Sequence, residues 1–222
     1  MGSCVIIGAG DFPAKEYPLY LLRSADRIVC CDSALRTFLH NSERIFGERR
    51  LPDAVVGDMD SLPHALAEKY SNIIVKVDEQ EDNDQTKAVR YVLSHFKDID
   101  AIHILGATGK REVHTLGNLS LLMEYTRAFG IDGLTSTPTI DIVSDRCTAL
   151  AVTDSCTLEV GEGRPISIIT ADNSLRIRSE GLEWPTDDVV FDNLWKATLN
   201  RASADAVSLT FSHPSMALII LE

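Results

Sequence analysis

The sequence predicts an α/β protein in two parts, a parallel sheet with helices followed by a small antiparallel β-sandwich. In the first half, short apolar runs alternate with helical patterns, which is the rhythm of βαβ units and a mostly parallel sheet. After about residue 137 the helical patterns stop, and short β-rich runs follow one another between turn residues, as in a sandwich. The boundary is expected at 136–139, giving a Rossmann-like α/β domain over residues 1–136 and a β-sandwich domain over residues 137–222.

In the first half, residues 3–10 (SCVIIGAG), 26–34 (DRIVCCDSA), 51–61 (LPDAVVGDMDS), 72–79 (NIIVKVDE) and 100–109 (DAIHILGATG) read as strands ending in small or acidic residues. Residues 18–25, 33–41, 63–70, 85–96 and 115–130 read as the intervening helices. In the second half, strands are expected within 139–145, 147–154, 156–163, 166–172, 175–184, 206–213 and 216–222. Ligands of open parallel sheets bind beyond the carboxyl ends of the strands. Those ends hold Gly8 and Gly10, Asp32, Asp58 with Asp60, and Gly106 with Gly109.

Composition narrows the function. The 222 residues are 45% hydrophobic, enough for a substantial core, and carry a net charge of −12. An acidic chain lacks the basic face that nucleic acid requires, so no nucleic-acid partner is expected. A small phosphorylated ligand stays compatible, because a metal ion supplies positive charge locally. Five cysteines with no CxxC pair fit a reduced, cytoplasmic protein without a zinc or disulfide framework. No basic leader or bilayer-length apolar run is present, so no membrane association is expected.

The stretch DAVVGDMDSLP, residues 53–63, places two carboxylates one residue apart. On extended backbone Asp58 and Asp60 would point the same way, roughly 6–7 Å apart. At that separation they repel by about 3 kcal/mol if the effective dielectric is about 20. Asp32 ends the second strand and Asp84 follows the fourth, so neighbouring strands would bring four carboxylates to one rim. Hard oxygen ligands of this kind suit Mg²⁺ shared with substrate phosphates. Each acid taken singly also fits a solvated turn or helix cap.

A second constellation is GATGKREVHTLGN, residues 106–118. Glycines after a strand let backbone approach an anion, and the following helix start offers free N–H groups. Lys110 and Arg111 add charge, and His114 stands in the same loop. The spacing is not that of a Walker A loop. A solvated turn explains the segment equally well. Gly8 and Gly10 with Asp32 partly resemble a dinucleotide fingerprint, but the third glycine position holds Pro13. His103 lies mid-strand and is expected to pack, whereas His40, His64 and His95 fall on helices. Trp184 and Trp195 are by default core or interface residues.

The ordered series CCDSA, LPDAVVGDMDS, QEDNDQTKAV, GATGKREVHTLGNLSLL, GLEW, ATLNRAS and FSHP resembles thiamine pyrophosphokinase over nearly the whole chain. That resemblance implies Mg²⁺-dependent transfer of a pyrophosphoryl group from ATP to the thiamine hydroxyl, giving thiamine diphosphate and AMP. It also implies a homodimer with thiamine pockets between subunits. By position, Asp32, Asp58, Asp60 and Asp84 match the family's metal- and phosphate-organising acids, with Asp58, Asp60 and Asp84 catalytic. Lys110, Arg111, His114 and Asn118 match the ATP side, and Gln80, Trp184, Thr198 and Asn200 the thiamine side. The chain departs from the family at Ser33 and Ala34, at Lys110, Glu112 and Val113, and at Leu199. Two rivals remain: a nicotinamide-dependent oxidoreductase using Gly8, Gly10 and Asp32, and a non-catalytic sensor of thiamine or nucleotide on the same fold.

Overall fold

The structure, a computed structural model, describes residues 2–222 and divides into two compact units. The first comprises residues 2–119 and 137–145, and the second residues 120–136 and 146–222.

The first unit holds β1 (Gly2–Ile7), β2 (Arg27–Cys31), β3 (Ala54–Gly57), β4 (Ile74–Lys76), β5 (Ile99–Leu105) and β6 (Thr139–Val143). They form a parallel array in the order β6-β5-β1-β2-β3-β4. Its central strands are buried on both faces, which is why Cys4–Ile7 and Ile28–Cys31 read as unbroken apolar runs. Leu19 and Leu22 of α1 (Glu16–Ser24) and Leu35 and Phe38 of α2 (Ala34–Phe46) join Val5, Ile7, Ile28 and Val55 in one core. Each such side chain contributes about 1.5–3 kcal/mol on burial. Helix α2 ends at Gly47, whose φ of 75° lets its N–H turn back to the Glu43 carbonyl at 2.9 Å. A short α3 (His64–Lys69) precedes β4, and α4 (Asp84–His95) packs against β1, β2 and β3.

The strand Thr139–Val143 departs from the expectation that residues 137–222 form one sandwich. It runs parallel to β5, pairing Ile102 with Ile140 and Ile104 with Ile142, and so belongs to the first unit. A short apolar run flanked by turns has no feature that selects a parallel over an antiparallel partner.

The last helix of the chain, α5 (Glu112–Phe129), contains the division at 119/120. The second unit holds β7 (Thr148–Val152), β8 (Cys156–Glu159), β9 (Pro165–Ile169), β10 (Ile177–Glu180), β11 (Ala197–Arg201), β12 (Ala206–Phe211) and β13 (Ala217–Leu221). Four of them form an antiparallel array in the order β11-β9-β13-β7, and three form a second sheet, β10-β12-β8. Leu150, Ile166, Ile168 and Ile219 from the first sheet share a core with Leu158, Ile177, Val207 and Leu209 from the second, so this unit is the expected sandwich. Strand β11 lies outside the strands read from the sequence.

Candidate functional site

The carboxyl ends of β1, β2, β3 and β5 frame a cleft of about 350 Å³ in the first unit. After β1 the chain runs beside the turn after β5: Gly8 N–H donates to the Leu105 carbonyl at 2.7 Å, Gly10 N–H to Gly106 at 2.7 Å, and Asp11 N–H to Thr108 at 2.8 Å. Gly109, at φ 109°, lies so close to Asp11 that a Cβ would stand 2.2 Å from its carboxylate oxygen. The two glycine-rich turns therefore form one wall. Helix α1 begins only at Glu16, so the turn of Gly8 and Gly10 does not lead directly into a helix start as a dinucleotide fingerprint requires.

Asp32 follows β2 with φ 36°, a left-handed conformation that aspartate tolerates better than most residues. It is 3% exposed. Its Oδ2 accepts from Ser61 N–H at 3.1 Å, and its Oδ1 is buried without a hydrogen-bond partner. Burial pushes this carboxyl above the ordinary range, and the charges of Asp58 and Asp60 add to the effect.

The expectation of extended backbone through Asp58–Met59–Asp60 is not met. Met59 has φ 67°, and the chain turns there, with Asp60 N–H donating to Asp58 Oδ1 at 3.1 Å. The aspartate side chain competes for backbone donors within its own turn, and that local bond replaces the strand. It also holds the Asp58 carboxyl below the usual range, helped by Gln80, whose Nε2 lies 3.4 Å from Asp58 Oδ2. Gly57 explains the spacing behind this turn: a Cβ there would approach both Asp32 Cβ and Asp84 Oδ1 to 3.0 Å.

Asp84 opens α4, where a carboxylate complements the helix dipole. Asn83 caps the helix, its side chain accepting from Thr86 N–H at 2.9 Å. Burial raises the Asp84 carboxyl, with Asp32 and Asp58 contributing. Lys87, one turn on, lies 3.8 Å from Asp84 Oδ1.

Asp32, Asp84, Lys110, Arg111, His114 and Asn118 line the cleft together. Lys110 Nζ donates to the Ala9 carbonyl at 2.6 Å. Asn118 ties the walls: its Nδ2 donates to Ala107 at 2.7 Å, and its Oδ1 accepts from Asn83 Nδ2 at 3.0 Å. Asp58 and Gln80 meet on the same rim, where Asp60 is exposed. Among the described residues, no three His, Cys, Asp or Glu side chains are close enough to form a complete metal-binding group. The acids are thus electrostatic neighbours, not a closed cage. Such an incomplete oxygen set fits Mg²⁺, which binds through one or two carboxylates plus substrate phosphates, and Asp32 Oδ1 is a buried oxygen free to take part.

In the second unit, Trp184, Thr198 and Asn200 line a pocket of about 280 Å³. Asn200 is buried and clasps Trp184, donating from Nδ2 to its carbonyl at 2.6 Å and accepting its N–H at 3.2 Å. Trp184 itself is 54% exposed. Gln80 belongs to the first unit, so the residues assigned to thiamine are divided between the units. His103 is not simply packed, since its Nδ1 pairs with Asp141 at 2.8 Å.

Sequence reasoning missed Lys87 and Asn83. The signal for Lys87 was a charge set among buried positions of a helix, between Thr86 and Ala88. That for Asn83 was its place as a cap before an apolar-periodic run.

The fold and cleft define an α/β protein with an acidic rim facing a glycine-rich, basic turn, joined to a β-sandwich. Residues 19–131 match the family model described as "Thiamin pyrophosphokinase, catalytic domain", and residues 148–216 match "Thiamin pyrophosphokinase, substrate-binding domain". The chain belongs to the thiamin pyrophosphokinase family. It is 29% identical over 154 residues to "Thiamine pyrophosphokinase 1" of Oryza sativa subsp. japonica, a match covering 63% of this chain and 54% of that protein. The chain thus spans about half the length of that relative. Among solved structures, the thiamin pyrophosphokinase of Geobacillus thermodenitrificans is similar at TM-score 0.74 and 20% identity, over 99% of this chain and 97% of that one. The Candida albicans thiamin pyrophosphokinase is similar at TM-score 0.75 and 16% identity, over 100% and 88%.

Proposed function

We propose that the protein is a thiamine pyrophosphokinase that transfers a pyrophosphoryl group from ATP to the hydroxyl of thiamine, releasing thiamine diphosphate and AMP. The observation that carries this reading is a cleft lined by Asp32 and Asp84 together with Lys110, Arg111 and His114, in a chain of this family. One or two of Asp32, Asp58, Asp60 and Asp84 would hold each Mg²⁺, which when bound would supply charge neutralisation on phosphate oxygens. Arg111 and Lys110 steady the polyphosphate, Arg111 through its planar fork. Asn118 keeps the turn after β5 against α4 through its bonds to Ala107 and Asn83. An aspartate of the rim orients the thiamine hydroxyl and accepts its proton.

Trp184, Thr198 and Asn200 contribute to thiamine binding, as does Gln80. The exposed Trp184 face suits a cationic thiazolium ring. The active form is a cytoplasmic homodimer with thiamine sites at the subunit interface. No helix among the described residues is long and apolar enough to cross a membrane. The nicotinamide reading finds no support in the family match, and the start of α1 at Glu16 speaks against it. The test is AMP formation with thiamine, ATP and Mg²⁺, each omitted in turn. All three omissions are expected to reduce AMP to background, whereas thiamine binding by calorimetry with no AMP formation would favour the sensor.

A further inference from the structure

Lys87 is a buried cation to which the proposed chemistry gives no task. Its side chain is 2% exposed, on the inner face of α4 beside Ala88 and Val89. Lysine is almost never fully buried unless paired, because an isolated ammonium loses its hydration. Here the ammonium stands 3.8 Å from Asp84 Oδ1, behind the rim on which Asp32 and Asp58 also lie. Gly57 lets Asp32 and Asp84 close to within contact of one point, so two carboxyl groups are gathered next to this buried cation.

We propose that Lys87 is a positioning residue: its ammonium is the internal counter-ion that lets the Asp84 carboxylate stand beside Asp32 before any cation arrives. A fixed positive charge beside the carboxylates also opposes a divalent cation arriving alone. Lys87 thereby favours Mg²⁺ that comes with an anionic polyphosphate over Mg²⁺ by itself. Only this last consequence rests on the proposed function. The counter-ion role stands on the metal-free chain.

The test is a double-mutant cycle on the full chain in chelator, with thermal unfolding of the parent, Lys87→Met, Asp84→Asn and the double variant. Methionine keeps the aliphatic stem and removes only the charge. Each single variant is expected to lower the midpoint, and the double variant to lose less than the two losses combined, because both charges go together. Should Lys87→Met fail to fold, recovery of folding in the double variant is the same result. Strictly additive losses, or a double variant that fails as the single one does, would overturn the assignment. Titration with Mg²⁺ alone, by calorimetry, should show Lys87→Met binding roughly three- to tenfold more tightly than the parent, the scale of up to one pK unit. Equal measurable affinities would refute the claim that the ammonium opposes the ion. If neither protein binds Mg²⁺ alone while the cycle still couples, the counter-ion role holds and the claim that the ammonium opposes the lone ion is overturned. The proposed function is judged separately, by AMP formation with Mg²⁺ and ATP.

Discussion

Asp32, Met59 and Leu199 are the non-glycine residues with positive φ among the described residues, and all three fall in segments assigned to the site. Conformations of this kind typically cost about 1–3 kcal/mol each and persist where surroundings enforce them. At Met59 the enforcing bond is the one from Asp60 N–H to Asp58 Oδ1. Leu199 donates its N–H to Ser167 Oγ at 3.0 Å and leaves its side chain 74% exposed. Strain is thus concentrated where chemistry is proposed. Gly57 is the matching permissive position. Gly57→Ala should destabilise the protein by about 1–3 kcal/mol through overpacking against Asp32 and Asp84. The check is chemical denaturation alongside the Mg²⁺ dependence of AMP formation, where a weakened dependence on Mg²⁺ is expected. The pair Asp58 and Asp60 was legible in the sequence as a candidate for chemistry, but their turn was not. Extended geometry fails there because a short polar side chain captures its own backbone.

At the scale of elements, α4 joins the site to the core. Asn83 caps it, Asp84 opens it, and Lys87, Ala88 and Val89 face inward. Replacing Asn83 by alanine should cost about 1 kcal/mol in thermal or chemical unfolding, the usual worth of a cap. A larger loss of turnover than of stability would show that the bond to Asn118 also holds the cleft. Strands β5 and β6 carry a pH-dependent pair, His103 with Asp141, in register across the sheet. Burial works against the His103 charge, but the hydrogen bond and charge of Asp141 outweigh it, and its pKa is raised above the ordinary 6.5. A raised histidine contributes stability that is present below about 6.5 and is lost as pH rises through its folded value. Between pH 6 and 8 the thermal midpoint should fall further in the parent than in Asp141→Asn, and parallel curves would contradict the pairing. The raised carboxyls of Asp32 and Asp84 also lower stability as pH rises from the acid range, but equally in both proteins. Element types in the first half followed from periodicity. The partner of β6 did not, because parallel pairing with β5 depends on residues about 38 positions away.

At the scale of the molecule, two units with separate cores each hold part of the proposed machinery: the acidic rim in one, Trp184 with Asn200 in the other. Burial pushes the thiols of Cys4 and Cys156 up to about 12 and about 11. Such thiols are poor nucleophiles, and the proposed chemistry gives them no part. Large exposed side chains of the second unit, Trp195 and Leu194 besides Trp184, agree with a covered surface in an assembly. Sedimentation equilibrium should return twice the chain mass of 24.4 kDa, and a monomer that turns over normally would remove the dimer from the proposal. The most direct measurement of the central claim is thiamine-dependent AMP release by the parent and by Asp60→Asn at saturating Mg²⁺. With Asp60 exposed on the rim, the fold should survive, and the rate should drop on the order of 10²-fold or more. Near-parental AMP release from the variant would contradict it.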